Sequence, residues 1–449
     1  MAVTYARRLG LFSGTMSVIG GIIGSGIFLN PAIVAQRVGT AGATLAVWVG
    51  GGVVALIGAF VFGELGQRRP QVGGGYAYLR EAFGPLPAFL YAWALLLIMA
   101  PGAIAAVAVT FANYTAALVG FPVSMARPVA VAAILLLTLV NCLGVTFGAV
   151  TQNIFTLLKL AALAMVIIAG LGALGSTPAA CVGCAALAAP VGTGAMIGAV
   201  ATALVPVLFA YGGWQQTNFI AEELIEPERN LPRALVLGVA AVVLVYVLAN
   251  VAYLGALGVE GLAASPAPAA DTMSVLLGPV GRVVITAGIA CSTFGFLNLV
   301  ILVTPRVFQA MAADGLFFER FARLHPRSRT PVAAIIFLGL WSAVLVYSGK
   351  YGALLDYVVF ADWIFFGTTA LTLIVFRRRD NGAVTPFRLP GYPGTLWLFV
   401  AAAVYVVVGS VRSNPGNAVR GLGLLAFGVP VYYSWARSRA RRGAPASEA

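Results

Sequence analysis

Gly20-Gly21-Ile22-Ile23-Gly24-Ser25-Gly26-Ile27-Phe28 lies inside an apolar stretch, residues 11–37, that is long enough to cross a membrane. A glycine inside a helix costs about 1 kcal/mol relative to alanine, so Gly24 and Gly26 around Ser25 mark a place where a helix readily unwinds. Close packing accounts for the same residues, because Gly20 and Gly24 form a GxxxG pair that lets membrane helices approach. A second interruption shifts the balance. Phe209-Ala210-Tyr211-Gly212-Gly213-Trp214-Gln215-Gln216-Thr217-Asn218 breaks another apolar stretch, five stretches further along the chain.

The rest of the chain has the composition of a membrane protein. Of 449 residues, 61% are hydrophobic and 9% charged, with a mean hydropathy of +0.97, against about one-quarter charged in soluble domains. Twelve spans are expected, at residues 11–37, 42–66, 86–118, 127–146, 152–174, 196–224, 232–257, 279–312, 331–348, 352–376, 395–411 and 416–436. The first follows Arg7 and Arg8 but exceeds the apolar core of a signal peptide, and is expected to be retained. No soluble domain is left over. The fold class is therefore an all-α polytopic membrane protein forming a single transmembrane domain.

A net charge of +13 raises the question of nucleic acid. With the N-terminus placed inside, Arg7, Arg8, Arg68, Arg69, Arg377, Arg378, Arg379, Arg437, Arg439, Arg441 and Arg442 fall on the cytoplasmic side with most other arginines. Only Arg37, Arg127, Arg282, Lys350, Arg412 and Arg420 fall outside. That asymmetry is the topological bias of a membrane protein, so no nucleic-acid partner is expected and both termini are expected in the cytoplasm. Cys142 and Cys291 lie in spans, while Cys181 and Cys184 form CVGC in an external loop without His or acidic residues. A zinc site needs more ligands than that, so a loop disulfide or two idle thiols is expected, with no metal and no cofactor.

Two glycine-interrupted helices in corresponding positions point to an inverted-repeat transporter with its site between the breaks. The repeats would be residues 11–174 and 196–376, with 395–436 as two extra helices. Unwinding exposes amide N–H groups at the start of one half-helix and carbonyls at the end of the other, and neither stays unsatisfied in a dry interior. A zwitterion satisfies both: its carboxylate on the amides of Gly24, Ser25 and Gly26, its ammonium on carbonyls near Ile22 and Phe209.

At these residues the chain resembles the amino acid–polyamine–organocation transporter superfamily, most closely its L-type, sodium-independent amino acid transporter branch. GSGIF in the first span, GGGYAYLREAFGP at 73–85, FAYGGW at 209–214, EELIEPERNLPRAL at 222–235 and RVFQAMAADGLFFERFARLHPRSRTP at 306–331 carry the resemblance. It implies a LeuT-like fold of five plus five helices with broken first and sixth helices. It implies that Gly24, Ser25 and Gly26 cradle a substrate carboxylate and that carbonyls of Ile22, Phe209 and Gly212, with Ala210 among them, take the ammonium. Phe209 is implied as an aromatic lid and Trp363 as a residue near the pocket. Gly102 and Ala103 are candidate lining residues.

Lys159 sits inside the fifth span, where a cation is costly and usually functional. Snorkelling is the plainer account, but the chain has 25 Arg and only two Lys, and lysine, unlike arginine, is able to lose its proton when buried. The resemblance implies that its ammonium replaces a sodium ion, bracing the first span against the fifth and eighth. Asp362, beside Trp363, either holds a cationic side chain or titrates during transport, or is a buried group paired with a neighbour. Glu222 and Glu223 after the sixth span, and Glu64 at the end of the second, are candidate gating residues. Glu226 and Glu228 read as solvated, and His325 lacks a partner for general-base chemistry.

Neither the charged rings or carbonyl filter of a channel nor the nucleophile or HExxH constellation of an intramembrane enzyme is present. The expected function is sodium-independent secondary transport of an amino acid substrate across a bilayer, with exchange of small or neutral L-amino acids first. Proton-coupled transport of cationic amino acids or polyamines is the alternative. Animal members of the branch often join a glycoprotein through a cysteine between the third and fourth spans. Here Leu118 to Arg127 has none, so no covalent glycoprotein subunit is expected, and the Ala/Gly/Arg-rich composition suits a bacterial inner membrane.

Overall fold

The computed structural model describes residues 4–172, 192–348, 351–381, 385–413 and 415–441. These residues are helical apart from turns and one isolated parallel bridge, Leu9 with Leu224. The first helices are α1 (Leu11–Ile22) and α2 (Gly26–Val38), bent by 44° at the break between them. There follow α3 (Ala41–Arg68), the short α4 (Gly75–Phe83), α5 (Pro85–Ala94) and α6 (Ala100–Val119), then α7 (Ala126–Cys142) and α8 (Val145–Gly172). The second half holds α9 (Thr193–Ala210), a 3-10 segment (Trp214–Glu223), α10 (Pro227–Ala264), α11 (Pro268–Val303), α12 (Pro305–Ala313), α13 (Glu319–Ala322) and α14 (Val332–Ser348). The last three are α15 (Tyr351–Arg379), α16 (Gly394–Ser413) and α17 (Pro415–Arg441). Among the described residues nine helices are long and apolar enough to cross a membrane, ten if the bent α1–α2 pair counts as one span.

Prolines account for local departures from the ideal helix. Pro101 has no N–H for the Leu97 carbonyl, and the turn Leu95–Met99 widens to π geometry between α5 and α6. The freed carbonyl takes the indole N–H of Trp341 at 3.1 Å, which ties this span to α14. Pro206 likewise frees the Thr202 carbonyl in α9, and the Arg37 guanidinium at the end of α2 donates to it. Asn30 of α2 adds a second tie, from Nδ2 to the Pro206 carbonyl at 2.8 Å.

Small residues set the spacing of the bundle. A Cβ on Gly288 of α11 would stand 2.5 Å from Ala162 Cβ of α8, and one on Gly238 of α10 2.6 Å from Val18 of α1. Such approaches let dispersion and main-chain contacts replace the hydrophobic drive that lipid removes. The fifth expected span is corrected at its start: the helix begins at Val145 rather than 152. The turn falls at Gly144, whose φ of +139° suits glycine, and the polar Gln152 and Asn153 sit inside the helix. Cys181 and Cys184 lie outside the described residues.

Candidate functional site: a cavity between two helix breaks

α1 ends at Ile22 and α2 starts at Gly26, leaving Ile23, Gly24 and Ser25 between them. α9 ends at Ala210, and the turn Tyr211–Gly213 leads into the 3-10 segment. The breaks touch main chain to main chain. A Cβ on Gly213, whose φ is +108°, would lie 2.2 Å from the Gly21 carbonyl oxygen, and one on Gly26 would lie 2.9 Å from Ala210 Cβ. Gly24 is different: its Cβ would meet only Phe296, at 3.7 Å. Both readings of the opening glycines therefore hold, at different positions. Gly20, Gly21 and Gly26 serve close approach, while Gly24 leaves space.

That space is a cavity of about 980 Å³, counting the part open to solvent. Ile22, Gly24, Ser25, Gly26, Phe209, Ala210, Gly212 and Trp363 all line it, as do Asp362 and Ala103; Gly102 does not. The structure thus brings together residues from four parts of the chain. The wall is completed by Tyr91, Leu95 and Met99 from the π-widened span, Phe296 from α11, and Gln215 and Gln216 after the second break. Asp362 makes no hydrogen bond or ion pair among the described residues. Trp363 meets Phe366 edge to face and Phe399 at a tilt, with ring centroids 5.4 and 6.2 Å away. Phe209 is 37% exposed at the cavity edge.

The main-chain groups at the breaks are partly engaged. The Ile22 carbonyl accepts the Gly24 N–H at 2.9 Å and the Tyr246 hydroxyl at 3.1 Å, and the Phe209 carbonyl accepts the Gly212 N–H at 3.0 Å. Tyr246 of α10 also reaches the Ala210 carbonyl at 3.3 Å, so one hydroxyl stands between the carboxyl ends of both broken helices. The amides of Ser25 and Gly26, at the positive end of α2, have no protein acceptor among the described residues.

Lys159 lies outside the cavity and is fully buried. Its Nζ donates to the carbonyls of Ile23 at 2.7 Å and Gly20 at 3.2 Å, capping α1 where the helix gives up its own bonds. Ser292 of α11 donates to the same Ile23 carbonyl at 3.3 Å. The ammonium from α8 and the hydroxyl from α11 thereby hold the first break from two sides. Gly295 opposite Lys159 has no room-filling side chain; its Cβ would be 3.6 Å from Nζ.

The three candidate gating carboxylates lie beyond the cavity, on the side of the N-terminal segment. Glu223 comes four residues after the lining Phe219, and Arg306 two after the lining Thr304. Arg306 Nε donates to Glu223 Oε1 at 2.7 Å with both side chains fully buried. Arg306 is thus an interior residue joining the 3-10 segment to α12. The Glu223 carbonyl accepts the amides of Arg8 and Leu9, each at 3.0 Å, which straps the N-terminal segment across this end. Glu222 accepts the Val72 N–H at 3.0 Å.

Glu64 is buried between Arg68 at 3.0 Å and Arg377 at 2.6 Å, and accepts the Leu389 N–H at 2.8 Å. Asp380 extends the network to Arg68 at 2.7 Å and Arg69 at 2.9 Å. Burial pushes the Asp380 carboxyl up, but hydrogen bonds from Arg69 and Arg68 outweigh it and hold the group below the usual carboxylate range. Glu226 is exposed, 3.7 Å from Arg229, as a solvated pair. His325 Nδ1 accepts the Ser328 N–H in an exposed loop, a structural role. Among the described residues no group of His, Cys, Asp and Glu has the arrangement of a metal site.

The chain's relatives are transporters. Over 413 residues it is 33% identical to b(0,+)-type amino acid transporter 1 of Mus musculus, covering 91% of this chain and 83% of that protein. It is 35% identical over 441 residues to large neutral amino acids transporter small subunit 2 of Rattus norvegicus, covering 96% and 81%. The human b(0,+)-type amino acid transporter 1 is 35% identical over 413 residues, with 91% and 83% covered. A family profile described as amino acid permease matches residues 9–422. A cavity between two broken membrane helices and a match along nearly the whole sequence lead to one assignment: the chain belongs to the amino acid permease family.

Proposed function

We propose that the chain exchanges small or neutral L-amino acids across a bilayer, independently of sodium, by alternating access. As a permease it is a transporter and not an enzyme. The observation that carries the reading is the cavity itself, where the free amides of Ser25 and Gly26 face carbonyl-rich ends of α1 and α9. A substrate carboxylate takes the amides at the positive helix end. The ammonium competes with Tyr246 for the Ile22 carbonyl, and the hydroxyl has the Ala210 carbonyl to move to. Phe209 closes over the substrate, Trp363 borders it, and Gly212 adds a carbonyl. Lys159 does by a fixed charge what a bound sodium ion does elsewhere, bracing the first break from within the protein.

The full architecture belongs to the same proposal: twelve spans, a LeuT-like repeat of residues 11–174 and 196–376, and two added helices at 395–436. So do a bacterial inner membrane with both termini cytoplasmic, and work without a covalent glycoprotein subunit, the stretch from Leu118 to Arg127 having no cysteine. Glu64, Glu222 and Glu223 form the inner gate. Asp362 favours one second reading. A carboxylate in the cavity wall without a partner among the described residues suits a cationic side chain or a transported proton.

Proteoliposomes preloaded with unlabelled amino acid test this directly. Labelled uptake is expected to accelerate with internal substrate and to persist when choline replaces sodium at constant pH. Uptake that vanishes in choline would overturn the reading. Competition by neutral amino acids but not by arginine, lysine or polyamines separates it from the cationic alternative.

A further inference from the structure

The turn between α7 and α8 forms a second, polar recess at the end of the bundle that carries the N-terminal segment. It measures about 350 Å³, counting the part open to solvent, and is walled by Arg8, Arg327 and Arg329 together with the stretch Leu143–Phe147. No acidic residue lines it. All three arginines are exposed, and none makes a salt bridge or side-chain hydrogen bond among the described residues. The first turn of the 28-residue α8 opens into the same space, so the amides of Val145, Thr146 and Phe147 add the positive end of a helix to three guanidinium groups.

The loop carrying Arg327 and Arg329 is held in shape by its own bonds. The Arg329 N–H donates to the His325 carbonyl at 2.8 Å, the His325 N–H to the Thr330 carbonyl at 3.0 Å, and the Ser328 N–H to His325 Nδ1 at 3.3 Å. One flank is apolar and uncovered. Leu143 and Phe147 are 56% and 59% exposed, and Val150 and Ile154 continue the same exposed face one and two turns along α8. A phosphate seated among the arginines would lie directly above a strip fit for acyl chains.

We propose that this recess binds the phosphate of an anionic lipid headgroup, with the acyl chains along the face of Leu143, Phe147 and Val150. Guanidinium groups suit phosphate by charge and by paired N–H donors, and basic pockets between membrane helices are a recurrent form of lipid recognition. The site also bears on the gate. Arg8, which would hold the headgroup, has its main-chain N–H on the Glu223 carbonyl, so an occupied recess fastens the strap across that end of the bundle. This inference does not depend on which amino acid is carried.

The test uses the full-length protein in detergent, titrated separately with phosphatidylglycerol, phosphatidylcholine and inorganic phosphate, with bound ligand read by native mass spectrometry. Phosphatidylglycerol is expected to bind first, and R8Q/R327Q/R329Q to weaken it roughly 100-fold, from about 1 kcal/mol for each of the three arginines at an anionic headgroup, converted at about 1.4 kcal/mol per factor of ten. The charge-preserving R8K/R327K/R329K should retain most of the binding. Thr146→Glu, which introduces a carboxylate and removes no arginine, should abolish it, and covers the case in which the glutamine variant does not fold. Equal binding of phosphatidylcholine, or unchanged affinity in the glutamine and Thr146→Glu variants, would overturn the proposal. Binding of inorganic phosphate with none of phosphatidylglycerol would overturn the lipid source.

Discussion

Gly213→Ala should unseat the junction between the two broken helices. The added Cβ would stand 2.2 Å from the Gly21 carbonyl oxygen and 2.7 Å from its carbon, both main-chain atoms that no rotamer change removes. It would also force an L-residue to keep a φ of +108°, at about 1–3 kcal/mol. Overpacking adds about 1–3 kcal/mol. The sum, about 2–6 kcal/mol, is a large part of the ~5–15 kcal/mol by which a folded domain is stable. Gly24→Ala is the control, since its Cβ would make only an ordinary contact, 3.7 Å from Phe296, and its expected cost is within about 1 kcal/mol. Thermal unfolding in detergent and exchange in proteoliposomes should therefore separate the two: Gly213→Ala strongly destabilised and inactive, Gly24→Ala stable with altered substrate affinity. Equal melting temperatures for the two variants would refute the view that the breaks are held together by a glycine contact.

Lys159→Met should leave the Gly20 carbonyl without its donor and the Ile23 carbonyl with Ser292 alone, at about 1–3 kcal/mol for the stranded carbonyl, with exchange much reduced in the presence or absence of sodium; unchanged exchange would remove Lys159 from the mechanism. Glu223→Ala strands a fully buried guanidinium and should cost about 3–5 kcal/mol, most of it recovered in the double variant with Arg306→Met, as read by denaturation; additive losses would deny the coupling. Asp380, held below its ordinary carboxylate range, stabilises the folded state at pH values above its unfolded value of about 3.9. That contribution is lost as pH falls further through the depressed value. An acid unfolding curve should thus lose part of its steepness below about pH 4 in Asp380→Asn, and an identical curve would count against the network.

Much of the site could be read before any coordinates, because the signal was a violation of the local rule. Glycine and polar residues in the middle of Val- and Ile-rich stretches have few reasons to exist, and Gly24, Ser25 and Gly212 stand out that way, with Phe209 beside the second break. Lys159 stood out as one of two lysines in an arginine-rich chain. Tyr246 did not stand out, since one tyrosine among apolar residues of α10 looks like any core aromatic until both of its carbonyl partners are seen. Tyr91, Met99 and Phe296 escaped for the same reason: which face of an all-apolar helix meets a cavity is decided by its neighbours. The burial of Arg306 is not legible in the sequence, because its partner Glu223 lies 83 residues away. The start of α8 was missed because Gln152 and Asn153 look like a membrane edge. Gln152 is instead satisfied inside the bundle, where Nε2 donates to Thr156 at 3.1 Å.

The glycine frame has a practical consequence for changing selectivity. Where Gly21 meets Gly213 and Gly26 meets Ala210, the cavity wall is made of backbone with no spare volume, so bulk cannot be introduced there without moving whole helices. Elsewhere the lining is built of ordinary side chains, among them Tyr91, Leu95, Met99 and Asp362. Directed evolution toward new cargo should therefore accumulate its accepted changes on those side chains and at the open Gly24, and leave the Gly21–Gly213 and Gly26–Ala210 contacts untouched however hard the selection is driven.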